Sequence, residues 1–279
     1  MRSALVTGAS TGIGRATALR LDSRGWRVFA GVRREVDAES LREEGSGLLV
    51  PISLDVTDPG QIDSAAGEIE AGLEGAGLDG LVNNAGIAVL GPLETIPMDD
   101  FRRQVEVNLF GHLAVTRAML PLLRRASGRI VFISSIGGRV AFPMNGPYHV
   151  AKFGVEAMGD VFRQELRPWG ISVSIVEPGS IATPIWERID RESDAVAGRT
   201  PETERLYGSR LATVRRLSLK FGERGIAPDR VASAIEHALT ARRPRARYLI
   251  GADAKIQARL KIVTPTRLWD RIVSRIVGS

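Results

Sequence analysis

Three residues in one stretch of this chain are spaced to perform proton chemistry together. Ser135, Tyr148 and Lys152 lie in S-I-G-G-R-V-A-F-P-M-N-G-P-Y-H-V-A-K, the tyrosine thirteen residues after the serine and the lysine four after the tyrosine. If Pro147 opens a helix, Tyr148 and Lys152 sit one turn apart on one face. A cation there favours the charged form of a phenol, whose free pKa is about 10, and moves it toward neutrality. Such a tyrosine can act as general acid and base. A serine ending the preceding strand supplies a donor to a substrate oxygen. The lysine itself stands out, because the chain has 34 Arg and 4 Lys and none of the other lysines precedes Lys220. A compact ammonium with three rotatable donors is not interchangeable with a planar guanidinium.

The elements needed to position these residues can be read from the pattern. Ser3–Thr7 is a short apolar run that breaks at Gly8 into G-A-S-T-G-I-G, and Arg15–Leu21 continues with helical spacing. Strand, glycine turn and helix are the context of a dinucleotide site. There the glycines permit close backbone approach, and the helix N-terminus offers free N–H groups and a positive dipole end to a pyrophosphate. Arg27–Val32 reads as a second strand. Where a dinucleotide fold often places an acid for the ribose 2′-hydroxyl, this chain has Arg33 and Arg34, which suit a 2′-phosphate. NADP(H) is therefore expected over NAD(H). Leu48–Leu54 is a third strand; Asp55 follows as an acceptor for the adenine amine, and Asp58 as a helix cap ahead of Pro59. Leu78–Val82 runs into Asn83-Asn84-Ala85-Gly86, where the asparagines either form a turn or meet a ligand.

Residues 98–126 read as one long amphipathic helix with Asn108 at its middle. That asparagine is a satisfied core amide, a local bulge or a catalytic group. Arg129–Ser134, Ile171–Val176 and Tyr248–Ile250 complete seven strands, with helices at 148–167 and Pro228–Ala241. The alternation predicts an α/β fold, a parallel sheet covered by helices on both faces. Gly8–Gly14, Asn83–Gly86, Ser135 and Pro178–Thr183 all fall at carboxyl ends of strands, where such sheets bind ligands.

Composition sets further bounds. With no cysteine, disulfides, thiol catalysis and cysteine-held metals are excluded; the three histidines, His112, His149 and His237, lack metal spacing and receive no role. The opening M-R-S-A-L-V-T-G has no apolar run long enough for a signal peptide or a membrane span, and a soluble, cytoplasmic protein is expected. The net charge of +6 is uneven: residues 1–183 hold 18 basic and 21 acidic side chains, residues 184–279 hold 20 and 11. A single domain over 1–279 is expected, with 184–227 as a lid over the site and 255–279 as a basic amphipathic tail. The tail either packs on the body or a partner subunit, or lies in a membrane interface. Nucleic acid is not the expected partner.

These motifs resemble the classical short-chain dehydrogenase/reductase family over Ser3 to Thr183. Its glycine motif stands as Thr7-Gly8-Ala9-Ser10-Thr11-Gly12-Ile13-Gly14, its N-N-A-G as Asn83–Gly86, its tetrad as Asn108, Ser135, Tyr148 and Lys152, and its P-G with a following threonine as Pro178, Gly179 and Thr183. Ala151 stands where many members have serine. The fuller pattern is most similar to NADP-dependent hydroxysteroid and retinol dehydrogenases. The resemblance implies a Rossmann-type doubly wound sheet and a homodimer or homotetramer. It implies cofactor contacts from Gly8, Ser10, Thr11, Gly12, Ile13 and Gly14, from Arg33, Arg34, Asp55 and Val56, from Asn84, Ala85 and Gly86, and from Pro178, Gly179, Ile181 and Thr183, with Tyr148 and Lys152 shared. Tyr148 would exchange the proton, Ser135 hold the substrate oxygen, Lys152 lower the phenol pKa and bond the nicotinamide ribose, and Asn108 position a water. Ser10 and Arg33 would take the 2′-phosphate, and Thr183 the carboxamide. The expected substrate is a bulky apolar secondary alcohol or ketone, from Val89, Leu90, Phe142, Met144 and Trp186 near the site. A ketoacyl thioester reductase and a non-catalytic NADP(H)-binding sensor are the competing readings.

Overall fold

The computed structural model describes residues 1–186 and 200–277. The strands are β1 (Ser3–Val6), β2 (Arg27–Val32), β3 (Leu49–Ser53), β4 (Gly80–Asn83), β5 (Arg129–Ile133), β6 (Ser172–Pro178) and β7 (Arg247–Ile250). They form one seven-stranded sheet in the order β3-β2-β1-β4-β5-β6-β7, and every neighbouring pair is parallel. Parallel strands buried on both faces need apolar residues at successive positions. S-A-L-V of β1 is buried throughout, and so is I-V-F-I of β5.

Alternate residues of each strand feed two separate cores. Ala4, Val6, Val131 and Ile133 point to one face, where they meet Ala18 and Leu21 of α1 (Gly12–Ser23), Leu41 of α2 (Glu35–Glu44) and Val231 and Ile235 of α8 (Pro228–Thr240). Leu5, Ile130 and Phe132 point to the other, against Ile69 of α3 (Pro59–Gly72), Met119 and Leu123 of α5 (Gly111–Ala126) and Val155 of α6 (Gly146–Glu165). The sheet is thus doubly wound, as expected. Its order reverses between β1 and β4, which opens a crevice at their carboxyl ends.

Local signals set several helix starts. Asp58 caps α3 by accepting from Gly60 N at 2.9 Å and Gln61 N at 3.2 Å, and those bonds hold its carboxyl below the ordinary range. Pro147 sits in the first turn of α6, where its missing N–H costs nothing. The helix expected over 98–126 is interrupted. α4 (Met98–Val105) and α5 are joined by a π-helical turn, Glu106–Phe110, with Asn108 buried inside it.

Of the predicted lid, residues 187–199 lie outside the described residues; Pro201–Glu223 forms α7. The tail folds into α9 (Ala252–Val263) and α10 (Thr266–Val277). The inner face of α10 packs on the body: Trp269, Val273 and Val277 are buried with Val140, beside Phe142 and Val214.

Candidate active site

The crevice begins at the glycine turn between β1 and α1. Gly8 has φ +65°, and a Cβ on it would lie 2.8 Å from Ala85 Cα; on Gly14 it would lie 2.2 Å from the Gly8 carbonyl oxygen. No side chain larger than hydrogen fits either place without moving backbone. The turn is fastened to the end of β4. Thr7 Oγ1 accepts from Asn84 N at 2.9 Å and Ala85 N at 3.0 Å, while Asn84 Nδ2 donates to the carbonyls of Thr7 at 2.9 Å and Gly8 at 3.1 Å. Asn84 therefore builds the turn. Asn83, fully buried, donates to Thr116 Oγ1 at 2.9 Å.

The N-terminus of α1 is left open to an anion. Thr11 at its cap makes no side-chain capping bond, and the first turn has no acidic residue, so its N–H groups and dipole face the crevice. Ser10, Thr11 and Ile13 lie along this turn. Thr183 closes over it, its γ-methyl 3.1 Å from where a Cβ on Gly12 would sit. The loop bearing Pro178, Gly179 and Ile181 is held by Gly179 N donating to Ile250 O and by a bridge from Ile181 to Ile226. At the end of β2 the two arginines differ. Arg34 is engaged by both oxygens of Asp37, at 2.8 and 2.7 Å. Arg33 is exposed, 3.8 Å from Asp55, whose other oxygen accepts from Thr57. Val56 is buried against Gly111. Uncapped N–H donors, a turn with glycine at its closest approaches and an exposed arginine fit a dinucleotide carrying a 2′-phosphate.

Ser135, Tyr148 and Lys152 come together beside this turn. Ser135 caps a short 3-10 turn, its Oγ accepting from Gly137 N at 3.0 Å. Its hydroxyl approaches Pro178 O at 3.5 Å, a long contact, and also bonds the Tyr148 phenol, so it lies where both it and the phenol can meet one substrate oxygen. Tyr148 packs against the buried pair Ala88 and Leu90, as do Ile185, Trp186 and Val214, so the phenol stands in apolar surroundings.

The expectation that the lysine depresses the tyrosine meets a different balance here. Burial pushes the Tyr148 pKa up, with a bond to Ser135 acting the other way. The buried Lys152 ammonium donates to Ile133 O at 2.7 Å and lies 5.7 Å from the tyrosine ring centre. Burial, partly offset by Glu156, brings the lysine down to about 8. Both groups are thus pushed toward their neutral forms by the same low-dielectric surroundings.

Asn108 spends its amide on one backbone unit: Oδ1 accepts from Ile87 N at 2.9 Å and Nδ2 donates to Ile87 O at 2.9 Å. Of the readings left open for it, core amide and local bulge are both realised in this geometry. Gln104, one turn earlier, was not anticipated. It accepts from Val89 N at 2.7 Å and donates to Ile87 O at 2.6 Å. Two amides at i and i+4 thereby hold the loop that passes Gly86 and supplies Ala88 and Leu90 to the wall.

Two histidines also acquire positions. His112 Nε2 donates to Ala85 O at 2.8 Å, and Nδ1 has no partner among the described residues. Burial first, then the lysine's charge, lower its pKa to about 3, so the ring is neutral at working pH. His149 Nε2 accepts from Phe142 N at 3.0 Å, so Nδ1 carries the proton donated to Gly137 O at 2.8 Å. It clamps the loop between Ser135 and Phe142.

Residues 2–194 match the family model described as short chain dehydrogenase. The chain belongs to the short-chain dehydrogenase family. Within that family it is similar to Retinol dehydrogenase 5 of Homo sapiens, at 41% identity covering 98% of this chain and 87% of that protein. It is also similar to 17-beta-hydroxysteroid dehydrogenase type 6 of Bos taurus, at 39% identity covering 97% and 87%. Among solved structures, a short chain dehydrogenase from Burkholderia cenocepacia J2315 in complex with NADP superposes with a TM-score of 0.74 and 28% identity, covering 98% of this chain and 99% of that one.

Behind α6, the helix of this short-chain dehydrogenase that carries Tyr148 and Lys152, lies a buried ionic group that the sequence did not announce. Glu177 Oε1, fully buried on β6, accepts from Arg139 at 2.7 Å and lies 3.2 Å from Arg247 Nε. Arg247 also meets Glu156 at 3.1 Å and Asp160 at 2.6 Å, both on α6. Burial raises Glu177 to about 7; Arg139 lowers it and Glu156 raises it further. The group ties β6, and hence the Pro178–Thr183 loop, to the helix carrying Tyr148 and Lys152.

Proposed function

We propose that the protein is an NADP(H)-dependent oxidoreductase that interconverts a secondary alcohol with its ketone, or an alcohol with an aldehyde, on a bulky apolar substrate of steroid, retinoid or lipid type. One observation carries this reading. Ser135 bonded to the Tyr148 phenol, Tyr148 in apolar surroundings and Lys152 one turn on converge beside an uncapped helix N-terminus with Arg33 exposed at the next strand end. The cofactor is NADP(H), in keeping with the NADP held by the structural relative and with the absence of an acid at the end of β2. When bound, it supplies or accepts the hydride at the substrate carbon.

The chain's own groups do the rest. In the reducing direction Ser135 donates a hydrogen bond to the carbonyl oxygen, and Tyr148 passes its proton to that oxygen as the carbon gains hydride. The phenolate left behind is stabilised by the nearby lysine and regains a proton from solvent. In the oxidising direction each transfer reverses. Asn108 and Gln104 fix the loop that forms one wall. Substrate selection falls to Leu90 and α7, which border a cleft of about 540 Å³, and to Trp186, which packs on Leu90. Leu90, Leu211, Ala212 and Leu219 offer contact to an apolar body, and Glu204, Arg215, Arg216, Lys220 and Glu223 surround it with charge. Homodimer or homotetramer assembly goes with this reading, supported by exposed Val150, Phe153 and Val161 on α6.

A screen of ketosteroids, retinal and acetoacetyl thioesters, followed by NADPH absorbance, tests it. Turnover of apolar ketones or aldehydes is expected, and Tyr148→Phe should lower kcat/KM by about 10²–10⁴-fold while NADPH still binds. Turnover of the thioester alone would replace the substrate class. Undiminished turnover by Tyr148→Phe would remove the tyrosine from catalysis.

A further inference from the structure

The outer faces of α9 and α10 carry a surface that the oxidoreductase reading does not use. On α9, Ala254 and Ala258 face the body. The opposite side presents Ile256, Leu260 and Val263, 57%, 48% and 75% exposed, and Ile262 stands at 78%. Positions 256, 260 and 263 follow the i, i+4, i+7 spacing of one helix face, but here the apolar stripe points outward. On α10 the inward stripe is Trp269, Val273 and Val277, while Leu268, Ile272 and Ile276 form a second, exposed row beside it. Arg267, Arg271 and Arg275 run along the outermost side, all exposed. Lys261 lies over the Trp269 ring, 5.4 Å from its centre, and joins the two helices.

Residues 252–277 hold six basic side chains and two acidic ones, and one of the acids, Asp253, is engaged by Ser180 N at 2.8 Å. No helix among the described residues is long and apolar enough to cross a membrane. We propose that α9 and α10 form a docking surface for an anionic lipid bilayer, with the exposed aliphatic rows entering the headgroup boundary and the flanking Lys and Arg meeting lipid phosphates. Aliphatic side chains beside a cationic row are what a helix lying in an interface requires, because long basic side chains keep their charge at headgroup level while their neighbours go deeper. A second copy of this chain is the poorer occupant. A two-fold contact sets the same patch against itself, which would bring the two cationic rows together. Nucleic acid would satisfy the charge but leave the aliphatic rows without a partner.

Because Asp253 at the start of α9 holds the loop that carries Thr183, the surface is rigidly joined to the site rather than hung from it. The inference does not rest on the substrate class, and its test does not use turnover.

The full chain is floated with vesicles of phosphatidylcholine alone and of phosphatidylcholine with phosphatidylserine, at low and high salt. Cofloatation with the anionic vesicles should exceed that with neutral ones by about tenfold or more and should fall as salt rises. A triple variant, Ile256→Glu, Leu260→Glu and Val263→Glu, changes exposed side chains only; it should keep NADPH binding and the thermal midpoint and lose flotation. Arg267→Glu with Arg271→Glu should lose the preference for anionic vesicles. Equal flotation by wild type and triple variant, or none by wild type, overturns the proposal. So does a wild-type oligomer that the triple variant converts to monomer without any lipid binding, which would assign the face to a second copy.

Discussion

Residues 1–183 and residues 184–279 differ in what they do with side chains that break the usual pattern. The first part, with 18 basic and 21 acidic residues, buries polar groups and satisfies them on backbone. Thr7, Asn84, Gln104, Asn108 and His149 each bond main-chain groups of the turns around the crevice. The second part, with 20 basic and 11 acidic residues, exposes apolar groups: Ile256, Leu260, Val263 and Ile272 face outward. A buried amide bonded to backbone fixes geometry, since leaving its partner unpaired is costly. An exposed aliphatic row fixes nothing internally and has value only against something outside the chain. In the readings proposed above, chemistry belongs to the first part and the choice of surroundings to the second.

Three experiments press on that contrast. The largest effect is expected from Arg33→Asp, which changes the rim of the crevice without touching its scaffold. Preference for NADPH over NADH, measured as a ratio of kcat/KM values, should fall by about ten- to a hundredfold, as for a charge-assisted bond of about 1.5–3 kcal/mol. An unchanged ratio would remove Arg33 from 2′-phosphate recognition. Gln104→Ala should destabilise by about 1–3 kcal/mol because Val89 N loses its acceptor while buried. Denaturant unfolding reads the loss, and a cost near zero would show that the Gln104 side-chain amide is not what holds the wall.

The smallest effect concerns Glu177, whose folded pKa near 7 lies above its ordinary 4.5. Between those values the folded protein keeps a proton that the unfolded chain has released. Stability conferred by this group is therefore full at low pH and declines as pH rises through the window. Thermal midpoints of Glu177→Gln between pH 4.5 and 7 should show a shallower decline than wild type. A parallel decline would place the titration elsewhere.

Most of the sheet was legible because parallel strands buried on both faces leave near-continuous apolar runs, as in Arg27–Val32. Glycine and proline marked the turns for steric reasons that act within a few residues. The glycine turn and the placing of Tyr148 and Lys152 one helical turn apart were legible from spacing, whereas the joining of Asn108 to them came only through the family resemblance. What stayed hidden depends on contacts distant in the chain. Gln104 and His149 look like ordinary helical polar residues until the loops they bond are in place; a second amide four residues before Asn108 was the available signal. The Glu177, Arg139, Arg247 and Glu156 group joins two strands, a loop and a helix, and no local pattern announces it. The direction of the Tyr148 shift was also hidden, because the charge of Lys152 can be counted from sequence whereas the burial opposing it cannot.

The π-turn at Glu106–Phe110 hides an extra residue rather than adding an angle. It holds one residue more than an α-helical ladder would, and because the wider turn takes up that residue, α4 and α5 keep nearly the phase of one continuous helix. Removing Val107 would close the turn into ordinary helix with little rotation of α4. Gln104 would stay near Val89, while the widened turn that seats Asn108 against Ile87 would be lost. Along this stretch, then, a deletion erases a bulge and spares the helices on either side.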